Sequence, residues 1–388
     1  MVCYIASEIR MHIDSDGRIR AKHPAAAYPV WRPFVEAFGR ITLLARVDEV
    51  GVDDSGVIVE GDGVRVERLP YYVGLRSTPL GMLRVRRRLR NIGTRDDVFV
   101  GRVPELVSLA VLARARSAGA RNLAILAADP QTLQSLAPRP FGPLIAALWT
   151  WLSRRAVRSA DAVSYVSERY FQSKYPARSG APTIGRSNVI LPDGWIKDGP
   201  RRRTQRDRIR LITIGALDHK VKGMDFLLDV MASLAEEGLS ATLTIIGDGV
   251  LRTELEKDAN ERGLDVNFAG QVQEKARIRN LLDAADVYVS GSRSEGLPRA
   301  TIEAMARSLP VVTTDAGAAG ELVGTPFLTQ IDKRDAFSRA IYLLASDSEE
   351  YQLQSRRSLE VSVRVSDAAS PDRFAAFLRK NFMGDWVD

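Results

Sequence analysis

The stretch IRLITIGALDHKVKGMDFLLDVMASLAEEGLSATLTII, residues 209–246, decides the fold class. Its first residues are continuously apolar and predict a buried strand. The segment MDFLLDVMASLAEEG then predicts a helix with Leu227, Val230 and Leu234 on one side, and ATLTIIG predicts a second buried strand. A strand, a helix and another strand in this order are typical of a parallel sheet that is covered by helices.

The same alternation continues to residue 315. Helices are predicted for LRTELEKDANERG, EKARIRNLLDAA and RATIEAMARS, and strands for DVNFAG, DVYVSGS and PVVTTD. In a sheet of this kind, ligands bind beside the carboxyl ends of the strands. We therefore expect the functional residues of this half in the loops that follow strands.

The N-terminal half is less regular but is also predicted to be α/β. Its candidate strands are VCYIAS, RITLLARV, DDVFVG, NLAILAAD and DAVSYVS. Glycine, proline and a basic run interrupt both patterns at 193–208, which is therefore the predicted linker. We expect an N-terminal domain over 1–200 and a C-terminal domain over 207–369. The segment 370–388 predicts an amphipathic helix that packs either on the C-terminal domain or back on the N-terminal one.

The composition is that of a globular chain with more than one domain. The 388 residues are 45% hydrophobic and 27% charged, an ordinary balance for a soluble protein. The formal net charge of +7 mildly favours anionic partners such as a diphosphate substrate or a phospholipid surface. No nucleic-acid-binding module is recognisable, so nucleic acid is not an expected partner.

Cysteine content and apolar runs indicate the compartment. Cys3 is the single cysteine, which excludes an intramolecular disulfide and a thiolate metal cluster and indicates a reducing cytoplasm. No apolar run near Met1 has signal-peptide form. The stretch FGPLIAALWTWL at 141–152 is shorter than the ~20 residues of a spanning helix and predicts a core or interfacial helix. We expect a cytoplasmic protein, or one peripheral to the inner face of the membrane.

The segment SRSEGLPRATIEAMA at 292–306 contains the strongest candidate site. The strand DVYVS ends before it, and Pro298 suits the first turn of the helix that follows. The helix N-terminus then opens at Gly296 and Leu297, where unpaired backbone N–H groups and the helix dipole favour a diphosphate.

Two glutamates flank this predicted helix start. Glu295 lies just before the helix and Glu303 lies eight positions later, within about two turns at ~1.5 Å rise per residue. One alternative is that Glu295 caps the helix and Glu303 is a solvated charge. The pair together with the intervening Gly-Leu-Pro favours a site in which the carboxylates accept hydrogen bonds from hydroxyl groups.

These residues carry a family resemblance. The pattern E-G-L-P-R-x-x-x-E-A-M-A at 295–306, followed by PVVTTDAGAAGEL at 310–322, resembles the signature of retaining glycosyltransferase family 4, the glycosyl transferases group 1. The resemblance is strong from about 209 to 324. It implies the GT-B fold, an α/β architecture of two Rossmann-like, doubly wound domains that face each other across a cleft.

The resemblance also implies roles for single residues. Glu295 would contact the transferred sugar near its 3-hydroxyl, and Glu303 would bind the ribose hydroxyls. The sugar and the diphosphate would lie against Gly296, Leu297 and Pro298. A nucleotide-diphosphate sugar is the implied co-substrate, with no further cofactor and no metal ion.

A second part of the donor site is expected after the strand LITIG. In the family a glycine ends this strand, an arginine follows it, and a lysine precedes the next glycine, so that both cations neutralise the diphosphate. Gly215 and Lys222 match the glycine and the lysine, whereas Ala216 occupies the arginine position. His219 and Lys220 either supply the missing charge or belong to a plain surface loop.

Two further loops of this half carry weaker signals. Gly247, in Gly247-Asp248-Gly249, predicts a tight turn next to the donor site, and backbone geometry is the simpler explanation of the glycine. Glu321 follows Gly320 at a predicted helix start. It is interpreted first as a cap and second as a sugar ligand.

The acceptor half departs from the family pattern after its first strand. The segment MHIDSDGRIRAKHP replaces the usual glycine-rich loop. Its Arg20, Lys22 and His23 either meet the acceptor or the donor phosphate, or form an ordinary basic loop. Asp14-Ser15-Asp16 formally matches a metal motif of another transferase fold but is interpreted as a turn.

Asp129 follows the strand NLAILA, where many relatives have a histidine. The chain's histidines are His12, His23 and His219, and none is placed to serve there. Asp129 either orients the acceptor hydroxyl, as a catalytic residue beside Glu295 and Lys222, or opens the turn before the following proline.

A basic amphipathic helix is predicted between Met82 and Ile92. Its apolar stripe consists of Met82, Val85, Leu89 and Ile92, and five arginines form the opposite face. The helix either docks on an anionic membrane surface or is a plain surface helix.

The resemblance implies a retaining, metal-independent transferase of the hexosyl type. It would move a sugar from a nucleotide-diphosphate sugar, with UDP favoured and GDP as the alternative, to a hydroxyl group, as in cell-surface polysaccharide or glycolipid assembly. A lipid-linked glycan is the favoured acceptor. Because the family's arginine and histidine are missing, the alternative is a non-catalytic sugar-nucleotide-binding subunit. A nicotinamide-dependent dehydrogenase is disfavoured because no G-x-G-x-x-G follows a first strand.

Overall fold

The computed structural model describes residues 1–23, 26–74, 77–130, 142–203 and 208–384, and divides into two compact units. The N-terminal unit comprises Met1–Arg186 together with Ala369–Asp388, and the C-terminal unit comprises Ser187–Ala368. Parts of the predicted features lie outside the described residues. These parts are Phe141 of the apolar stretch, 204–207 of the linker and 385–388 of the tail.

The C-terminal unit follows the predicted alternation. Its strands are β10 Ile209–Ile214, β11 Ala241–Ile246, β12 Val266–Gly270, β13 Val287–Ser290, β14 Val311–Thr314 and β15 Leu328–Thr329. Its α-helices are α6 Met224–Glu236, α7 Arg252–Glu261, α8 Lys275–Ala284, α9 Arg299–Ala306, α10 Arg334–Ser346 and α11 Ser348–Ala368. Every ladder is parallel in the order β12-β11-β10-β13-β14-β15, the strand order of a Rossmann sheet.

The N-terminal unit has the same kind of parallel sheet with a short antiparallel addition. Its strands are β1 Cys3–Ile13, β2 Ile19–Ala21, β3 Ile41–Val52, β4 Val57–Ile58, β5 Val64–Leu69, β6 Val98–Val103, β7 Arg121–Leu126, β8 Ala162–Tyr165 and β9 Thr183–Gly185. Its α-helices before the boundary are α1 Arg32–Phe38, α2 Thr78–Leu89, α3 Leu106–Ala118, α4 Gly142–Arg158 and α5 Tyr170–Lys174. The parallel strands run in the order β5-β3-β1-β6-β7-β8-β9, and β2 and β4 extend the sheet beside the end of β1.

The chain returns to the N-terminal unit at its end. Helix α12 Pro371–Leu378, followed by a π-helical turn at Arg379–Met383, packs against α1. Phe374 is fully buried and meets Phe34 edge to face, with ring centroids 5.3 Å apart. This apolar contact explains why residues after Ala369 belong to the N-terminal unit rather than to the helices that precede them.

The boundary between the units lies before the predicted linker at 193–208. Val189 and Trp195 are buried in the core of the C-terminal unit. Arg201 donates hydrogen bonds to the backbone carbonyls of Leu282 and Ala285 at 3.1 and 2.8 Å, and its Nε donates to the carbonyl of Arg307. The segment after Arg186 is therefore fastened to the C-terminal unit, although its composition resembles that of a linker.

Candidate donor site

Two loops of the C-terminal unit meet at the carboxyl ends of β10 and β13. Gly223, between a short 3-10 helix at Lys220–Lys222 and α6, has a φ of +64°. A Cβ atom there would lie 1.9 Å from the carbonyl oxygen of Gly291. Only glycine fits at this contact. The close approach places the loop that carries Lys222 against the loop that carries Glu295.

Glu295 receives two hydrogen bonds at this meeting point. Lys222 Nζ and Ser292 Oγ both donate to Oε1 of Glu295, each at 2.7 Å. The Lys222 side chain is 36% exposed and that of Glu295 is 14% exposed. Among the described residues, none donates a hydrogen bond to Oε2 of Glu295 or forms an ion pair with it. The carboxylate is therefore fixed through one oxygen and has the other available to accept a hydrogen bond from a ligand.

Arg293 joins the same two loops. Its backbone N–H donates to the carbonyl of Val221 at 2.8 Å, and its guanidinium contacts Lys220 O, Asp225 and Asp332. These charge-assisted contacts lie on both sides of the loop junction. Arg293 thus positions the lysine loop without being placed against the Glu295 carboxylate.

A third loop supports Glu295 from the β14 side. Gly317 has a φ of +61°, and a Cβ atom there would lie 1.9 Å from the backbone oxygen of Glu295. Ala318 N–H donates to Gly296 O at 3.0 Å. The backbone of residues 295 and 296 is therefore held in place by Gly317 and Ala318, which belong to the PVVTTDAGAAGEL part of the sequence pattern.

Helix α9 begins beside these loops. Pro298 is its N-cap in an extended conformation, and no acidic side chain lies in the first turn. Pro298 is buried, and Gly296 and Leu297 are partly buried. Because α9 has eight residues and its first N–H groups lack intrahelical partners, its N-terminus adds a partial positive charge next to Glu295 and Lys222.

Glu303 lies within α9 and is held from the neighbouring helix α8. Lys275 Nζ donates to Glu303 Oε1 at 2.8 Å, and the Glu303 side chain is 12% exposed. The Lys275 ammonium also lies 5.5 Å from the ring centroid of Trp195, and Trp195 Nε1 donates to Glu303 O at 3.1 Å. Glu303 is therefore an oriented carboxylate rather than a freely solvated charge.

Tyr288 of β13 is buried and interacts electrostatically with both carboxylates. Its burial, and then the negative charge of Glu295, raise the pKa of the Tyr288 hydroxyl; the charge of Glu303 acts in the same direction. The negative charges of both glutamates therefore influence the same buried hydroxyl group, that of Tyr288.

The remaining residues of the predicted donor site lie nearby but make other contacts. Ala216 and His219 are exposed, and Lys220 forms an exposed ion pair with Glu254 at 3.4 Å. His219 and Lys220 also line a cavity of about 410 Å³ between α6 and α7. These contacts favour the surface-loop alternative for both residues, and their role in binding a diphosphate stays a prediction.

Gly215 and Gly247 end the neighbouring strands β10 and β11. Gly215 N–H donates to Ile246 O, and Gly247 N–H donates to Gly270 O, both at 3.0 Å. Backbone packing explains both glycines. Glu321 ends a 3-10 helix, Gly317–Glu321, so the expectation that it stands at a helix start is wrong.

In the N-terminal unit, the segment after the first strand forms a hairpin. Strand β1 continues to Ile13 and turns back into β2. Asp14 accepts hydrogen bonds from the backbone N–H groups of Asp16 and Arg18 and from Arg20 Nε, and the contact with Arg20 lowers the pKa of Asp14. Asp14 therefore organises a turn, as the turn interpretation predicts. Among the described residues, no group of three or more His, Cys, Asp or Glu side chains could hold a metal ion.

Lys22 and His23 follow this hairpin and line a cavity of about 720 Å³ within the N-terminal unit. Lys22 Nζ lies 3.0 Å from Asp53 Oδ2. The same cavity is lined by Glu8, Arg10 and further polar side chains. Arg20 is held by Asp14, so of the three basic acceptor candidates Lys22 and His23 are the ones that face a cavity.

Asp129 is buried in a network of its own unit. Tyr175 OH donates to Oδ1 at 2.7 Å, and Lys174 Nζ and Tyr170 OH donate to Oδ2 at 2.6 and 3.3 Å. Burial, and then the hydrogen bond to Asp129, raise the pKa of the Tyr175 hydroxyl. Both carboxylate oxygens are occupied, which favours a structural alternative for Asp129. Its role in orienting an acceptor stays a prediction.

The apolar stripe of the basic helix α2 points into the protein core, whereas docking on a membrane would require it to face outward. Val85, Leu89 and Ile92, which form most of the predicted apolar stripe, are buried in the core of the N-terminal unit. This stripe packs on the protein and is not available to a lipid surface. None of the helices in the described part of the chain has the length and apolarity that crossing a bilayer requires.

Sequence reasoning did not single out four residues that shape the donor site: Ser292, Arg293, Lys275 and Trp195. Ser292 and Arg293 lie within the quoted motif, three and two positions before Glu295, and this nearness was the available signal. Lys275 and Trp195 contact Glu303 from 28 and 108 positions away along the chain. No local pattern indicates contacts of that kind.

Known proteins resemble this chain in sequence and in fold. Residues 208–347 match the family model described as glycosyl transferases group 1. Protein CapJ of Staphylococcus aureus is 22% identical over 307 residues, which are 78% of this chain and 76% of CapJ. A GDP-mannose-dependent alpha-(1-6)-phosphatidylinositol dimannoside mannosyltransferase of Mycobacterium tuberculosis is 30% identical over 207 residues. These residues are 50% of this chain and 54% of that protein.

A solved structure extends the likeness to nearly the full chain. Anabaena Alr3699/HepE in complex with UDP superposes with a TM-score of 0.66 at 16% identity, covering 97% of this chain and 98% of that one. At this identity the likeness concerns the fold, which is GT-B with two Rossmann-like units. The match to the glycosyl transferases group 1 covers residues 208–347, the part of the chain that contains the motif around Glu295.

Proposed function

We propose that the protein transfers a sugar, with retention of configuration and without a metal ion, from a nucleotide-diphosphate sugar to a hydroxyl group. The observation that carries this proposal is the arrangement of Lys222, Ser292 and Glu295 beside the N-terminus of α9. It combines a cation, helix N–H groups and a half-occupied carboxylate. Those are the groups that a diphosphate and a sugar hydroxyl need.

In the proposed reaction the donor's diphosphate lies at the α9 N-terminus and beside Lys222. The free oxygen of Glu295 accepts a hydrogen bond from a hydroxyl of the transferred sugar. Lys222 then exchanges part of its contact with Glu295 for the diphosphate. Both interactions position the anomeric carbon, and the lysine stabilises the negative charge that grows on the leaving oxygen.

The bond changes follow a front-face displacement. The bond between the anomeric carbon and the diphosphate oxygen breaks, and a bond from the same carbon to the acceptor oxygen forms on the same face. The acceptor proton moves to the leaving diphosphate oxygen. No protein carboxylate is required as a nucleophile, which distinguishes this scheme from that of retaining hydrolases.

Glu303 is proposed to bind the ribose. Its carboxylate is held by Lys275 through one oxygen, which leaves acceptor capacity for a pair of vicinal hydroxyls. The proposed base is uracil, supported by the fold likeness to HepE, which was solved with UDP. Guanine is the alternative, because the mycobacterial relative is named as GDP-mannose-dependent. Thermal-shift measurements with UDP, GDP and ADP distinguish these bases, since the bound nucleotide stabilises the folded state.

The proposed acceptor is a hydroxyl of a lipid-linked or cell-surface glycan. The mycobacterial relative is named as a phosphatidylinositol dimannoside mannosyltransferase, and this name supports an acceptor of the same class. In the N-terminal unit the cavity at Lys22 and His23 is the proposed acceptor subsite. Its basic and carboxylate side chains suit hydroxyl and phosphate groups.

Turnover of the donor without an acceptor tests the proposal. Purified protein should hydrolyse a matching nucleotide sugar slowly, and Glu295→Ala should abolish the release of nucleotide. Glu349→Ala, which removes an exposed carboxylate of α11, is the matched control and should retain the rate. Nucleotide binding without any release, in the presence or absence of glycan acceptors, would instead establish the non-catalytic alternative.

A further inference from the structure

Three helices of the N-terminal unit surround an apolar cavity that is distinct from the cavity at Lys22 and His23. The cavity has a volume of about 620 Å³ and is lined by α2, α3 and α4. Leu83 of α2 and Trp151 of α4 lie at its edge and are 47% and 56% exposed. We call this region the three-helix surface. It consists of Leu83, Trp151 and the neighbouring side chains of α2, α3 and α4 that line the cavity.

Helix α4 presents a continuous apolar row to solvent. Leu144, Leu148 and Trp151 are 70%, 49% and 56% exposed. Their spacing of four and three residues places them on one face of the helix. Large apolar side chains exposed in a row, rather than singly, mark a surface that binds an apolar partner. Trp151 also suits a boundary between an apolar phase and water.

The charge around the three-helix surface has one sign. The sequences of α2, α3 and α4 contain no aspartate or glutamate. Arg86, Arg116 and Arg155, one from each helix, line the cavity. Burial, and then the charge of Arg155, lower the pKa of Arg116. Among the described residues no carboxylate lies within ion-pair distance of these three arginines.

The few carboxylates nearby are engaged elsewhere. Glu67 pairs with Arg88 of α2, and Glu105, which precedes α3, pairs with Arg102 at 3.7 Å. Arg155 is stacked 5.7 Å from the Trp151 ring, so a cation and an aromatic side chain stand at the same point. The cavity edge thus combines unneutralised positive charge with exposed apolar area.

We propose that the three-helix surface docks on an anionic phospholipid bilayer. The leucines and Trp151 enter the outermost hydrocarbon, an acyl chain fills the cavity, and the arginines contact lipid phosphates. This docking surface differs from the one that the sequence suggested for α2 alone. The apolar stripe of α2 that contains Val85 and Leu89 is buried in the core and cannot contact lipid. A second copy of the chain is a poor occupant, since a symmetric pairing would oppose arginines to arginines. The inference is independent of the proposed sugar transfer.

Sedimentation with vesicles tests the docking. The protein should bind phosphatidylcholine vesicles that contain phosphatidylglycerol much more strongly than vesicles of phosphatidylcholine alone. Arg86→Ala with Arg155→Ala should weaken this binding about thirtyfold, on the basis of the contribution expected for each cation near an anionic surface. Leu148→Ser with Trp151→Ala should weaken it at least about tenfold, because apolar area no longer enters the bilayer.

Matched controls separate this surface from general charge and folding effects. Arg356→Ala with Arg357→Ala removes two exposed arginines from α11, and Leu353→Ser alters an exposed leucine of the same helix; both should bind like the unmodified protein. Thermal unfolding and UDP binding should be unchanged in every variant. Equal binding to neutral and anionic vesicles, or equal losses in the controls, would overturn the proposal. So would a concentration-dependent dimer that Leu148→Ser abolishes, which would identify a second copy as the occupant.

Discussion

Each unit holds a lysine–carboxylate pair in segments that follow its parallel strands, and the two pairs differ in how many carboxylate oxygens already accept a hydrogen bond. In the C-terminal unit Lys222 and Ser292 occupy one oxygen of Glu295. In the N-terminal unit Lys174 and two tyrosine hydroxyls occupy both oxygens of Asp129. A carboxylate that has an oxygen to spare can bind a ligand, whereas one with both oxygens occupied holds its own loops together.

The first strand of each unit adds a second difference. Strand β10 ends at Ile214 and gives way to the loop that carries Lys222. Strand β1, which occupies the equivalent central position in its sheet, continues to Ile13 and turns into an antiparallel hairpin. The same sheet order is therefore followed by the Lys222 loop, the proposed anion site, in one unit and by an antiparallel hairpin in the other.

The largest expected effect comes from Glu295→Gln. The amide keeps the size of the side chain but removes the charge that balances Lys222 and weakens the bond to the sugar. Turnover should fall about a thousandfold, equivalent to about 4 kcal/mol of transition-state stabilisation. Initial rates of nucleotide release under saturating donor measure this. The free energy of unfolding should change little, because Glu295 is assigned to ligand binding rather than to holding the fold together. A large loss of stability would show that Glu295 has a structural role like that of Asp129.

Asp129→Asn tests the other side of the comparison. The loss of the buried charge leaves Lys174 without its partner, and we expect the free energy of unfolding to fall by about 3 kcal/mol. Chemical denaturation measures the change. Asp96→Asn, at an exposed carboxylate of the same unit, is the control and should be neutral. Nucleotide affinity should not change, and a selective loss of acceptor turnover at full stability would instead establish Asp129 as an acceptor residue.

Sequence predicts the C-terminal unit well because most of its strands are apolar runs, and β13 and β14 are buried along their whole length. Of the strands from β10 to β15, only the two-residue β15, Leu328–Thr329, had no signal. In the N-terminal unit the apolar strands β1, β3, β6, β7 and β8 are predicted, whereas β5, with the sequence VRVERL, is not. Charged side chains alternate with apolar ones in β5, so it lacks the continuous apolar run of the others.

The candidate site is predictable as far as its motif is local. Glu295, Glu303 and Lys222 lie in loops or helices whose sequence indicates a strand end or a helix start. The partners that orient Glu303, Lys275 and Trp195, come from distant parts of the chain. The α2 stripe was predictable as amphipathic, but periodicity alone does not say whether an apolar face meets the core or a partner.

Gly223→Ala should have a smaller effect on stability than Asp129→Asn. The new methyl group meets the Gly291 carbonyl in a left-handed conformation, and the loops must separate, at a cost of about 2 kcal/mol. Gly119→Ala is the matched control in the N-terminal unit, because Gly119 has a φ of +66° and no atom within 4 Å of the added Cβ. It should cost about 1 kcal/mol. Denaturation curves compare the two, and equal costs would show that the loop contact is not tight.

The smallest expected effect is that of Lys275→Ala. Glu303 would lose its orienting cation but would remain on α9, so UDP affinity should fall about tenfold, equivalent to about 1.4 kcal/mol. Calorimetric titration with UDP and with inorganic pyrophosphate measures this. Pyrophosphate affinity should be unaffected, because Glu303 is assigned to the ribose. A parallel loss for both ligands would place Lys275 at the diphosphate instead.

The most direct test of the donor site is the affinity of Lys222→Ala for UDP, measured by calorimetric titration beside Lys257→Ala. Lys257 is an exposed lysine of α7 that pairs with Glu261, so the two variants lose the same charge from the same unit. If Lys222 binds the diphosphate, its replacement should weaken UDP binding roughly ten- to a hundredfold, the loss expected for a charged hydrogen bond. Lys257→Ala should bind like the unmodified protein. Equal UDP affinity in the two variants would contradict the assignment of the donor site to Lys222 and Glu295.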